Sequence, residues 1–194
     1  MHIILDNNDW MIYNSFLACL AVLFGVAFVE VKEKYSKVIL AVLWLLFLPN
    51  TLYIFTDLLH LVQDWYRVSI SLRPLFVLQY AVFELVGVVT FIVGFLPFEK
   101  MVSGVKSFKK NRTTVLIACN FIIAFGMVLG RVERNNSWDV FFAPQKVISS
   151  AIHVLTSFDL LGLTVLFGLL CNFVYFLFRN MLIKRTKSFI HVSD

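Results

Sequence analysis

Charge is what this chain has least of. Only 15% of its 194 residues are Asp, Glu, Lys or Arg, against about a quarter in soluble domains. With 60% of residues hydrophobic, a water-soluble globular domain is excluded and the chain reads as an integral membrane protein. Cysteine is scarce too: Cys19, Cys119 and Cys171 fall in three separate apolar runs without a CxxC pair. That spacing excludes a disulfide scaffold and a zinc–cysteine centre, and leaves the thiols as small packing groups. There is no HExxH, no GxSxG elbow, no Walker A loop and no GxGxxG, so the usual zinc-protease, serine-hydrolase and nucleotide-site chemistries have no warrant. Nor is there a Lys/Arg-rich arm. The net charge of +5 therefore speaks to membrane topology, and no nucleic-acid partner is expected. The stretch before the first apolar run, HIILDNNDW, carries Asp6 and Asp9 but no Lys or Arg, unlike the positive start of a signal peptide. That run is expected to remain as a membrane helix.

What the chain does have is long apolar runs. A span needs about 20 residues, and five fit: Met11–Val29, Val38 to about Thr56, Pro74–Leu96, Thr113–Leu129 and about Phe158–Phe178. Pro49 removes a backbone donor inside the second and should kink it. Helical character continuing towards Arg67 would be roughly 45 Å long at ~1.5 Å per residue, beyond a ~30 Å hydrocarbon core, so an interfacial extension is expected. Pro97 is expected to stop the third span and open a polar loop to Arg112. The run from Lys146 to Phe178 is too long for one upright span, and is read as a lead-in helix or strong tilt before the last crossing. No repeat or linker divides the chain, so residues 1–194 are expected to form a single all-α transmembrane bundle.

Basic residues set the expected orientation. Segments 31–37, 97–112 and the tail after Phe178 hold twelve of the 17 Lys/Arg, the other side five. The positive-inside rule then places the N-terminus outside and the C-terminus in the cytoplasm of a multi-pass cell-membrane protein. Trp10, Trp65 and Trp138 fall near the outer boundary, as in an aromatic belt.

Against this apolar background one polar stripe stands out. In PNTLYIFTDLLHLVQDWYR, Asn50, Tyr53, Asp57, His60, Asp64 and Arg67 recur at spacings of three and four, which aligns them along one side of a helix. Such a stripe near lipid is costly unless something faces it. The expected outer side also collects Arg131, Glu133, Arg134, Asn136, Ser137, Trp138 and Asp139 after the fourth span, and His153 and Asp159 before the last. Glu84 lies midway through the third. Asp57 and His60 on one face are a weak pair of ligands for a divalent metal, which His153, Asp159, Asp139 or Glu84 would have to complete. No other cofactor is indicated. The arginines suit either internal pairing with Asp57, Asp64, Glu133 or Asp139, or an anionic ligand such as a lipid headgroup.

The segments LPNTLYIFTDLLHL and LGRVERNNSWDVFFAP resemble the PN…Y…TDLxHL and GRxxRxNSWD patterns of a bacterial family of small integral membrane proteins, domain of unknown function 1361. The resemblance covers most of the chain, from the second span to the last. It departs at Asn135, where the family pattern has an aromatic, and the chain is compact for the family. The resemblance implies no established activity.

Three functional readings follow. In the first, an arginine- and carboxylate-lined pocket at the outer face binds an anionic lipid, another envelope component or a membrane partner, including a second copy of the chain. In the second, a membrane-embedded hydrolase or transferase uses Asp57, His60 and Asp139, with or without a metal. In the third, Glu84 serves a transporter component, although no internal repeat supports alternating access.

Overall fold

The computed structural model describes the backbone of residues 2–190, and their side chains apart from residues 2, 54, 55, 109 and 182–190. The basic side chains at 109, 184, 185 and 187, which enter the topology count, lie outside that description. The described residues form nine α-helices and no strand: α1 His2–Glu30, α2 Lys34–Phe47, α3 Tyr53–Asp64, α4 Arg73–Gly104, α5 Lys106–Lys109, α6 Arg112–Arg131, α7 Asp139–Phe142, α8 Pro144–Thr156 and α9 Phe158–Ile190. Helix is what lipid demands, because it satisfies every backbone polar group internally. Five helical segments are long and apolar enough to cross a membrane: Ile3–Glu30, Lys34–Asp64, Ile70–Gly104, Arg112–Arg131 and Phe158–Met181. The protein is an all-α, multi-pass membrane protein.

Local chemistry marks the boundaries. The Glu33 carboxylate accepts from the backbone N–H groups of Tyr35 and Ser36 and caps α2. Pro74 and Pro144 open α4 and α8, where a missing N–H costs nothing. The lead-in helix before the last crossing is α8, separated from α9 by the extended residue Ser157.

Two boundaries differ from the sequence expectation. The first span begins well before Met11, because its polar start is paired with α4. Gln79 Nε2 donates to Ile4 O at 2.9 Å and Asn8 Oδ1 at 2.7 Å, and Asn7 Nδ2 lies 3.4 Å from the Tyr80 hydroxyl. Pro97 does not end the third span either. The helix α4 runs through it to Gly104, as membrane helices can when neighbours hold the freed backbone groups. Trp44 Nε1 donates to Gly94 O at 2.7 Å, one residue past the Val93 carbonyl whose helical donor the proline removes.

At Pro49 the second span changes from α to 3₁₀ over Leu48–Leu52, and all five residues of that turn are buried. Their side chains help hold it: Asn50 Nδ2 donates to Phe47 O at 2.8 Å and Thr51 Oγ1 to Leu48 O at 2.7 Å. The turn packs against α1, α4 and α6. Around it lies the core, built from Phe28, Trp44, Leu52, Phe91, Phe95, Ile123, Met127 and Tyr175. Trp44 sits inside this core, not in lipid, against the rings of Phe28, Phe95 and Phe98. Packing, not water exclusion, drives such association in lipid, so close backbone approach matters. A Cβ on Gly25 would sit 2.8 Å from Gly94 O; only glycine permits this crossing of α1 and α4.

Candidate functional site

The polar stripe of the second span divides into three parts. Tyr53 and Asp57 face the end of α6, and Asn50 the segment that follows it. Asn50 Nδ2 donates to Ser137 Oγ at 3.1 Å, and Ser137 Oγ donates to Leu46 O at 2.9 Å. Arg131, the last residue of α6, pairs with Asp57, donates from Nη2 to Tyr53 O at 3.3 Å, and holds its guanidinium 5.0 Å from the centre of the Tyr53 ring. The approach is close because position 130 is glycine: a Cβ there would collide with the Tyr53 hydroxyl.

His60 is exposed and turns towards α1, where its ring centre is 5.8 Å from that of Trp10. Asp64 pairs with Arg67 at 2.7 Å.

The segment 131–139 forms the second wall, organised by its own carboxylate. Asp139 Oδ2 accepts from the Asn136 N–H at 3.0 Å and from Lys146 Nζ at 2.9 Å. The Asn136 N–H, followed by the Lys146 ammonium, holds the Asp139 carboxyl below the usual carboxylate range. Lys146 Nζ also reaches Arg134 O at 3.0 Å. Arg134 adopts a left-handed backbone with φ of 53°, and its side chain is exposed. Non-glycine residues seldom occupy this region, and here the lysine bridge and the Asp139 cap define the turn on either side. His153 Nδ1 lies 2.9 Å from Glu133 Oε1. Asn136 is exposed and Trp138 half-buried, while Asp159 is exposed in the first turn of α9.

Between the two walls is a cavity of about 180 Å³. Leu45, Leu46, Ile122, Phe125, Leu129 and Val147 make it apolar, and Tyr53, Asn135, Asn136 and Ser137 give it a polar rim. Among the described residues, no charged side chain lines it. Asp57 and Arg131 pair beside the lining residues Tyr53 and Gly130, and their pair is incomplete: among the described residues, Asp57 Oδ2 and Arg131 Nε are buried without a protein partner, as is Asn135 Oδ1.

Among the described residues, no three His, Cys, Asp or Glu side chains gather as a metal-binding group. Asp57, His60 and Asp139 are engaged separately, with Arg131, Trp10 and Lys146. Glu84 belongs to a different surface, the groove between α4 and α9, where both of its oxygens are buried without a partner.

One constellation has no counterpart in the sequence reading. At the opposite, basic end of the bundle, Glu99 is 3% exposed and joins Arg112, Tyr175 and Arg179 from α6 and α9. Its position two residues after Pro97 and beside Lys100 suggested a loop carboxylate. The available signal was that a membrane helix can continue through proline, which would put Glu99 at the boundary and in need of a partner.

Fold and site together define a class: a multi-pass helical membrane protein with a polar-rimmed cavity between its second and fourth crossings. A family model described as "Protein of unknown function (DUF1361)" matches residues 13–174, and the chain belongs to that family. The match includes both walls of the cavity. No curated protein and no solved structure matches the chain.

Proposed function

We propose that this protein is a binding module of the cell membrane, whose cavity beside the 3₁₀ turn accepts an anionic lipid or another amphiphilic envelope component at the outer face. The observation that carries this reading is the division of the cavity into apolar walls and a polar rim, beside the exposed Arg134. An amphiphile matches that division: its chain against Leu45, Ile122 and Phe125, its head at Tyr53, Asn136 and Ser137. Arg134 supplies the charge. Arg131 is already paired with Asp57 and serves to position Tyr53 and the rim.

The carboxylate–imidazole hydrolase has less geometric support, since its three residues point to separate partners. Native mass spectrometry of the full chain, released from bilayers containing phosphatidylglycerol and phosphatidylcholine, tests the binding reading. Arg134→Gln should lower retention of the anionic lipid, and Ile122→Trp, which fills the cavity, should lower retention of both. Unchanged lipid retention in both variants would refute it.

A further inference from the structure

The basic end of the bundle contains a second, independent arrangement. Glu99 Oε2 accepts from the Tyr175 hydroxyl and from Arg179 Nε, the latter at 2.6 Å. Glu99 Oε1 meets Arg179 Nη2 and Arg112 Nη2. Each carboxylate oxygen therefore has two donors, which exhausts its lone pairs. Two guanidiniums against one carboxylate leave one net positive charge. The Arg112 side chain is 37% exposed, and its Nε and Nη1 have no partner among the described residues. Lys100 and Lys106, both exposed, are close in sequence on α4 and α5. The excess positive charge of the cluster is only partly matched by Glu99, and at the edge of a bilayer the abundant counter-charge is a lipid phosphate.

An apolar groove of about 640 Å³ runs between α4 and α9, the helices that carry Glu99 and Arg179. Val88, Ile92, Phe173, Val174, Leu177 and Phe178 help to line it, and Phe173 and Leu177 are open to the lipid side. The lining residues Phe178 and Met181 bracket Arg179 along α9, so the groove reaches the level of the arginines. Its other end, at Ala81 and Glu84, carries no basic side chain among the described residues. These two features give an occupant a direction. We propose that the α4/α9 groove and Arg112 form a site for an anionic phospholipid, with an acyl chain along the groove and the phosphate on the free donors of Arg112. The site lies at the opposite end of the bundle from the outer cavity and does not depend on it.

Arg112→Gln is the informative substitution, because it keeps the Glu99–Arg179 pair and makes the cluster neutral. The full chain in detergent is exchanged with phosphatidylglycerol or phosphatidylcholine of the same chains, and retained lipid is read by native mass spectrometry. The wild type should retain phosphatidylglycerol preferentially. Arg112→Gln should weaken that retention roughly tenfold, the scale of one charge-assisted hydrogen bond, and this loss should add to the separate loss that Arg134→Gln causes at the outer cavity. Leu177→Trp, which blocks the groove, should reduce retention of dioleoyl phosphatidylglycerol but not of its dihexanoyl form. Equal retention of the two headgroups by the wild type, or no effect of Arg112→Gln, overturns the proposal. If inorganic phosphate alone competes and Leu177→Trp has no effect, the arginines bind free phosphate and the lipid assignment fails. Should Arg112→Gln not accumulate, Leu177→Trp decides by the same criterion.

Discussion

Replacing Arg131 with methionine should be among the most destabilising single changes in this protein. The Asp57 side chain is 2% exposed and the Arg131 side chain 28%. Removing the arginine strands a carboxylate that water cannot reach and whose Oδ2 already lacks a partner. Breaking a buried pair in this way costs about 3–5 kcal/mol, including the lost contact over the Tyr53 ring, itself worth about 0.5–2 kcal/mol. Asp57→Asn is the milder cut, about 1–3 kcal/mol, because the amide still accepts from Arg131 and the guanidinium keeps access to solvent. The double variant places a neutral amide beside an apolar side chain and should recover about 2 kcal/mol or more relative to the sum of the singles. Reversible unfolding of the full chain in mixed micelles, followed by tryptophan fluorescence, measures all four corners of the cycle. The reasoning fails if the singles add to within about 0.5 kcal/mol, or if Asp57→Asn proves the more damaging of the two.

Other outcomes follow from single contacts. Gly130→Ala drives a Cβ into the Tyr53 hydroxyl; it should cost about 1–3 kcal/mol, and Tyr53→Phe in the same chain should restore part of it in the same unfolding assay. Trp44→Phe keeps the ring packing but loses the donor to Gly94 O, for about 1 kcal/mol. Asp139 has its pKa depressed in the folded state. Its stabilising contribution is therefore complete above the unfolded value and disappears as pH falls through the lower, folded one. The wild-type melting temperature should fall more steeply than that of Asp139→Asn below about pH 4, and parallel acid profiles would contradict the cap.

The five crossings were legible because their signal is local: a run of apolar residues is long enough or it is not. The prolines were less legible: the second span changes to 3₁₀ geometry at Pro49, whereas α4 runs on through Pro97, and a missing donor alone does not tell the two cases apart. The stripe was only half legible. Spacing of three and four predicts which side of a helix a residue occupies, but not what stands opposite. Tyr53 and Asp57 found the end of α6 and Asn50 the segment after it, whereas His60 found Trp10 of α1 and Asp64 paired with Arg67. Pairing Asp57 with Arg131 rested on charge and on a shared end of the bundle, and the structure brings the two together. Glu99 was hidden because its partners Arg112, Tyr175 and Arg179 lie on two other crossings, and sequence proximity to Lys100 offered a simpler solvated reading.

The buried turn at Leu48–Leu52 has a consequence for biogenesis. While its span stands alone in lipid, no neighbouring crossing presses on Leu48, Pro49 or Leu52, and the 3₁₀ geometry there has no external support. The later arrival of α4 and α6 completes the enclosure of all five residues. The turn is thus a checkpoint of assembly order: α1 and the second span can insert as a pair during synthesis, but the centre of the bundle closes only after the fourth crossing has entered. A bulky residue at Thr51, which is 0% exposed, should leave insertion of every span intact and arrest the protein as a protease-sensitive, incompletely closed bundle.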